Sequence, residues 1–321
     1  MKHVNISLII PTYKREKQIN KILFKLEKQI NRNYKLEILI CDSNSNYKVK
    51  LFPKNKKNFK VRYLNISKNN LSAKRNYGIK KAKYKNIILI DDDCIPVSNF
   101  LISYLKDFNR IDQFTILSGI VDYPNRYISN YNHIKYRNRT HFKISDIQNK
   151  EIEPDKIVAM NLGFINNSNM SKLKYFNDKF TGYGFEDHEF AHRYKKNGFK
   201  LLQTRAKILH DEGTPNINNY IKKYYHLARD GMRNLISIDK SLAKKTIYNR
   251  IEQNFIFKII TKIPKINYLL LFLEKLIIST DKLKNMKFLS LYSLLRLCSY
   301  TRGYIDRNNK KLNLKTNSWY E

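Results

Sequence analysis

Four short strand-like runs separated by helical spacing constrain this chain more than any other feature. Residues 6–10 and 36–40 are apolar runs broken only by Ser7 and Glu37, 61–64 is a third, shorter one containing Arg62, and 87–90 is a fourth, unbroken one. Predominantly apolar runs of this length mark strands buried on both faces. Between the first two, Ile19, Ile22, Leu23, Leu26 and Ile30 recur at helical spacing. Residues 72–83 read as a second helix, with Ala73, Tyr77 and residues 79–82 as its inward positions. Strands alternating with helices predict an α/β fold with a mainly parallel sheet covered on both faces. In such sheets ligands bind beyond the carboxyl ends of the strands. Three of the runs end there in polar clusters: Pro11-Thr12-Tyr13, Asp42-Ser43-Asn44 and Asp91-Asp92-Asp93.

Asp91-Asp92-Asp93 is the strongest local chemical signal. Three consecutive carboxylates repel one another unless a cation offsets them. Asp91 and Asp93 point the same way along a strand and can share one partner. An oxygen-preferring divalent ion, Mn²⁺ or Mg²⁺, bridging carboxylate and diphosphate is the natural one. A solvated acidic turn is the competing reading, and placement directly after a buried strand favours the metal. Further on, residues 116–121 and 157–162 read as strands, Thr181-Gly182-Tyr183-Gly184-Phe185 as a flexible loop, and 186–197 as a helix opening on Glu186-Asp187. Acidic residues in a first helical turn are also favoured by the helix dipole alone. Residues 199–203 and 207–210 read as two short strands.

Taken in order, these pieces resemble an inverting glycosyltransferase of the GT-A fold, of the large family 2 type. The second half of that stretch resembles the chondroitin-polymerase and β1,4-galactosyltransferase group. The resemblance rests on residues 7–15, on Cys41-Asp42-Ser43-Asn44-Ser45, and on residues 71–79, which follow an Ala-Arg-Asn-x-Gly helix with Lys74-Arg75 in place of Ala-Arg. It also rests on residues 90–96, which follow an Asp-x-Asp box with a trailing Pro, and on residues 180–187, which follow a Gly-Gly-Glu-Asp acceptor loop. The resemblance implies that Pro11, Thr12, Tyr13 and Arg15 line a nucleobase pocket. Asp42 would accept a hydrogen bond from the base, as suits uracil, and Arg75, Asp91 and Asp92 would lie on the donor side. Asp93, Asp91 and His210 would hold the metal. Asp187 would be the general base with Glu186 beside it, and Gly182, Tyr183, Gly184 and Phe185 would face the acceptor. Tyr183 and Phe185 depart from the residues usual in that loop, so the acceptor does not carry over. Without the resemblance, a lone His at a strand end such as His210 is more often hydrogen-bonded to backbone than a ligand.

Composition bears on partners. The chain has 321 residues with 62 Lys+Arg against 27 Asp+Glu, a net charge of +35. Nucleic acid, anionic lipid and phosphorylated substrates are the physical candidates; abundant Lys, Asn, Ile and Tyr also fit an AT-rich coding bias. Residues 214–321 hold 21 Lys+Arg and 7 Asp+Glu, a net of +14, and interleave Phe, Ile and Leu with Lys. The expected division is a GT-A domain over 1–213 and a basic, amphipathic helical region over 214–321. That region either lies on an anionic membrane or packs as a helical subdomain. Residues 6–10 are too short for a signal peptide, and no apolar run reaches spanning length, which points to a cytoplasmic enzyme peripheral to a membrane. Three widely separated cysteines exclude a disulfide framework and predict free buried thiols.

The expected activity is metal-dependent, inverting transfer of a sugar from a nucleotide-sugar, with UDP-sugar first, to a hydroxyl of a growing polysaccharide or lipid-linked glycan. No specific nucleic acid is expected as partner. Three rivals remain: a nucleotidyltransferase, for which residues 11–15 lack the Gly-rich loop; a nucleic-acid binder explaining the charge; and a zinc hydrolase built on His188-Glu189-Phe190-Ala191-His192, which satisfies the bare His-Glu-x-x-His pattern.

Overall fold

The structure, a computed structural model, describes residues 4–31, 33–43, 56–140, 150–284 and 286–307. Asn44, Ser45 and Asn46 of the polar turn lie outside them. The described chain divides into two compact units that interleave in sequence. The first comprises Met1–Pro124, Phe142–Asp178 and Glu186–Gly213; the second comprises Asn125–His141, Lys179–Phe185 and Thr214–Glu321. Two segments inside 1–213 therefore cluster with the C-terminal helices.

The first unit is built on an eight-stranded sheet of order β3-β2-β1-β4-β7-β6-β8-β5. Its strands are β1 (Ile6–Thr12), β2 (Leu36–Asp42), β3 (Phe59–Asn65), β4 (Asn86–Ile90), β5 (Cys94–Pro96), β6 (Thr115–Asp122), β7 (Asn161–Ile165) and β8 (Lys200–His210). β1 runs parallel to β2 and β4, and β2 parallel to β3. β7 is antiparallel to both β4 and β6. The apolar runs have their physical cause in two-sided burial. Ile6, Leu8 and Ile10 enter one core cluster with Ile19, Ile22, Leu23 and Leu26 of the helix Glu16–Glu27. Ile9 enters the other with Leu39, Cys41 and Ile79.

Three local expectations changed. The strand expected at 157–162 runs over Asn161–Ile165, preceded by a short 3₁₀ turn, Pro154–Lys156. Ile157 and Ala159 are buried as core side chains rather than as ladder residues. The two short strands expected at 199–203 and 207–210 form the single strand β8. Residues 204–206 are a bulge in it, since Ser118 pairs with Gln203 while Ile120 pairs with Lys207. Buried Asn161 donates its amide to the Ile120 carbonyl (3.0 Å) and the Ala206 carbonyl (2.9 Å) at this irregularity. In the helix Leu71–Lys81, Tyr77 and Ala82 are half-buried and Lys80 and Lys81 exposed, while Ser72, Lys74 and Arg75 are buried. An apolar-period reading misses an inward face that is polar because it borders the site.

The second unit is helical throughout its described C-terminal part. Polar caps break the chain into short helices: Asp239 caps Lys240–Lys245, Thr246 caps Ile247–Gln253, and Asn254 caps Phe255–Ile260. Ile266–Ser279 and Leu291–Asp306 are the longer helices, and no described helix is long and apolar enough to cross a membrane. One core gathers Phe180, Leu227, Met232, Leu235 and Tyr300; another gathers Tyr136, Tyr220, Ile277, Tyr292 and Leu295. Buried ion pairs tie the helices together: Glu252 with Arg307 (2.6 Å) and Glu274 with Arg302 (2.6 Å). Cys41, Cys94 and Cys298 are free and buried, as the sequence predicts.

Candidate active site

The carboxyl ends of β1, β2 and β4 lie side by side in the first unit, with Thr12 in register with Asp42. Pro11 and Thr12 are buried at the end of β1, and Tyr13 is half-buried beyond them. Lys14 turns the chain there with φ of 55°, a left-handed conformation that non-glycine residues adopt at a cost. Asp42 is fully buried and accepts from the Tyr63 hydroxyl at 2.5 Å. The Lys74 ammonium reaches under this edge, donating to the Thr12 carbonyl (2.7 Å) and to Asn69 Oδ1 (2.8 Å). Burial pushes its pKa down to about 8 against the opposing pull of Asp42 and Asp92. Lys74 is the main group the sequence reading left without a role; its only signal is the replacement of Ala in the Ala-Arg-Asn-x-Gly pattern.

The three aspartates after β4 separate into distinct environments. Asp91 Oδ1 accepts from Arg75 Nη2 at 2.8 Å, and Arg75 Nη1 sits 3.4 Å from Glu186 Oε1. Arg75 is 2% exposed, so one guanidinium bridges two carboxylates out of water. Asp92 accepts from the Thr12 hydroxyl at 2.8 Å and pairs with Arg15 at 3.3 Å. Burial raises its pKa to about 7, partly offset by Arg15. Asp93 pairs with Arg15 (3.4 Å) and with His210 Nε2 (3.4 Å). Burial alone would raise the Asp93 carboxyl, but the His210 and Arg15 charges hold it well below the usual range.

Strand pairing explains how residues so distant in sequence meet. β5 runs antiparallel to β8 with Cys94 opposite His210, and the Asp211 amide donates to the Asp93 carbonyl at 2.7 Å. His210 is 3% exposed and also lies 3.4 Å from Glu212. Its Nδ1 is buried without a hydrogen-bond partner. The donor set of Asp93 and His210, oxygen and imidazole nitrogen, fits Mn²⁺ or Mg²⁺ when substrate oxygens and water complete the shell. Asp91, expected as a third ligand, faces Arg75. Among the described residues no group of three or more His, Cys, Asp or Glu side chains is disposed to hold a metal.

Glu186 and Asp187 open the helix Glu186–Lys196, where the dipole favours carboxylates. The two are driven apart in acidity. Burial and the neighbouring Asp187 raise Glu186, with Arg75 opposing. Burial would also raise Asp187, but hydrogen bonding and charge from His188, together with Arg75, hold it below the ordinary value. Asp187 Oδ1 accepts from the His188 backbone amide at 2.9 Å and lies 3.3 Å from the ring Nδ1. Such a pair, one carboxyl kept protonated longer and one kept ionised, suits a single general base. The His-Glu-x-x-His pattern dissolves here: His192 pairs with Asp155 (2.8 Å), and buried Glu189 pairs with Arg193 (2.6 Å).

The loop Lys179–Phe185 belongs to the second unit. Gly182 and Gly184 have φ of 91° and 99°, and Phe185 a φ of 72°. A Cβ on Gly184 would stand 2.4 Å from the Leu227 side chain, at the start of a π-helical turn, Leu227–Gly231. Tyr183 is half-buried and packs against that core, and the Phe185 ring meets Tyr248 edge-on at 5.8 Å.

A mixed sheet with acidic groups gathered beyond parallel strand ends is the arrangement of the GT-A fold. Residues 7–165 match the family Glycosyl transferase family 2, and the chain carries a glycosyltransferase domain of that family. It is 28% identical over 134 residues to chondroitin synthase of Pasteurella multocida strain Pm70, covering 41% of this chain and 13% of the relative. It is 30% identical over 129 residues to hyaluronan synthase of Pasteurella multocida, covering 39% of this chain and 13% of the relative. The alignments thus take in only a small part of these relatives. A mannosyltransferase from Pyrobaculum calidifontis, solved with GDP-Man and Mn²⁺, superposes with a TM-score of 0.55 at 11% identity, over 96% of this chain and 88% of that one, and so shares the fold.

Proposed function

We propose that the chain transfers a sugar from a nucleotide-sugar to a hydroxyl of a growing glycan with inversion at the anomeric carbon. The observation that carries this is Arg75, whose single buried guanidinium joins Asp91 after β4 to Glu186 at the head of the 186–196 helix. It links the donor edge of the sheet to the carboxylate pair within one unit. Asp42, a buried carboxylate at the end of β2 that already accepts from the Tyr63 hydroxyl, is an acceptor only and suits a base that presents a ring N–H, as uracil or guanine does. UDP-sugar is the first donor to try and GDP-sugar the second.

Asp187 takes the proton from the acceptor hydroxyl as that oxygen forms its bond to the anomeric carbon. The bond from that carbon to the diphosphate oxygen breaks on the opposite face, which inverts configuration. Glu186, fixed by Arg75, keeps the pair in register. Asp93 and His210 would hold a divalent ion, which supplies charge neutralisation for the departing diphosphate. Arg15 adds a guanidinium to the same edge.

The test is a panel of UDP-, GDP-, CDP- and dTDP-sugars with Mn²⁺, measuring nucleotide released by wild type, Asp187→Ala and Asp93→Ala. The expected result is hydrolysis of one donor, reduced by at least about 10²-fold in Asp187→Ala and by a comparable factor in Asp93→Ala. Metal-dependent turnover that survives Asp187→Ala unchanged would overturn the assignment of the base. Absence of both turnover and nucleotide binding across the panel would overturn the reading as a whole.

A further inference from the structure

The helices between residues 255 and 297 carry their apolar residues on the outside. Of the seventeen large hydrophobic side chains exposed on the described chain, twelve lie in this stretch, among them Phe255 (76%), Tyr268 (73%), Phe272 (57%) and Phe288 (73%). The helix Ile266–Ser279 is inverted relative to a helix of a water-soluble surface. Its inward stripe is Leu270, Glu274 and Ile277, with Glu274 2% exposed and satisfied by Arg302. Its outward stripe is Tyr268, Leu269, Phe272 and Leu276. Ordinary amphipathic helices bury the apolar stripe and expose the charge. Exposed apolar surface on this scale marks an interaction site.

Charge identifies the partner. Lys258, Lys262, Lys265, Lys275, Lys282, Lys284 and Lys287 are all exposed in the same stretch. Its only two acids, Glu274 and Asp281, are both buried and paired, Asp281 with His133 at 2.7 Å. The exposed surface of residues 255–297 therefore carries cations and apolar side chains with no exposed carboxylate among its described residues. Aromatic and aliphatic side chains among lysines are what an anionic lipid interface accepts: the rings and alkyl chains enter the acyl boundary, and the ammonium groups meet the headgroups.

We propose that residues 255–297 form a docking surface for an anionic lipid bilayer, holding the enzyme at the membrane by interfacial insertion rather than by a spanning helix. This stands independently of the donor chemistry. The experiment is co-sedimentation of the full chain with vesicles of pure phosphatidylcholine and with vesicles containing phosphatidylglycerol, at low and high salt. Wild type is expected to bind the anionic vesicles at least about tenfold more tightly, with the preference shrinking as salt rises. The double variant Tyr268→Ser/Phe272→Ser, altered at exposed positions, is expected to lose binding at both salt concentrations. Phe24→Ser, altered at an exposed apolar site outside the stretch, is expected to keep it. Circular dichroism and donor hydrolysis in solution, unchanged in the double variant, establish that it is folded. Equal binding to both vesicle types, no binding, or retention of binding by the double variant would overturn the proposal. So would a wild-type dimer in light scattering that the double variant abolishes without any vesicle binding by wild type, since the face would then belong to a second copy.

Discussion

Arg75 concentrates the site in one side chain. Its fork holds Asp91 and Glu186 through different nitrogens, a geometry a single ammonium cannot reproduce. Arg75→Lys is expected to lower kcat/KM for donor turnover by about 10² or more while leaving the fold intact; steady-state kinetics and a thermal melt check both halves. His188 sets the working range of the base. Because Asp187 is depressed in the folded state, it is ionised, and its contribution to stability is present, above the unfolded value of about 4. Both are lost as pH falls through the lower folded value. His188→Asn removes the partner charge, so the acidic limb of the kcat/KM profile is expected to move to higher pH; an unmoved limb would sever His188 from the base. The sequence displayed Asp42, Asp91, Asp93, Arg75 and the Glu186-Asp187 pair as separate signals. It did not display that Arg75 would be shared between two of them, because that depends on the approach of two helices to one sheet edge. Lys74 was legible only as a departure from a pattern, since a buried lysine reads in sequence like any surface one.

At the scale of elements, the helix Leu71–Lys81 shows how close packing places polar groups. It lies so near the sheet that a Cβ on Gly78 would stand 2.4 Å from Ile9 Cγ2 and 3.0 Å from Cys41 Sγ. In an exposed helix, Gly→Ala would stabilise by about 1 kcal/mol. Here overpacking outweighs propensity, and Gly78→Ala is expected to destabilise by about 1–3 kcal/mol and to weaken donor binding, because Lys74 and Arg75 ride on the same helix. Chemical denaturation and nucleotide titration read the two effects; a stabilised variant would show that the sheet yields instead. Near-continuous apolar runs made β1, β2 and β4 legible, with Ser7 and Glu37 the only polar breaks in residues 6–10 and 36–40. β8 was less so, because its bulge at 204–206 interrupts the apolar pattern without interrupting the strand. Its glycines made the 181–185 segment legible as a loop, but membership in the second unit is a tertiary fact that local pattern does not encode.

At the scale of the whole molecule, the net charge of +35 divides as +14 over residues 214–321 and +21 over 1–213, the remainder of the same count. A positive balance in both regions does not by itself select one partner. In the first unit, three described cations near the site are already engaged with carboxylates: Arg15 with Asp92, Arg75 with Asp91, and Lys21 with Asp211 at 2.5 Å. A polycation of this kind still attracts phosphate backbones through counterion release, a contribution that falls steeply with salt and carries no sequence preference. Fluorescence anisotropy with two unrelated single strands of equal length is therefore expected to give affinities equal within about threefold, both collapsing between about 50 and 200 mM salt. Nuclease treatment is expected to leave donor turnover unchanged. A preference beyond about tenfold for one strand that persists at the higher salt would mean that base edges are read, and the charge would then belong to a second function rather than to the solvated faces of a glycosyltransferase.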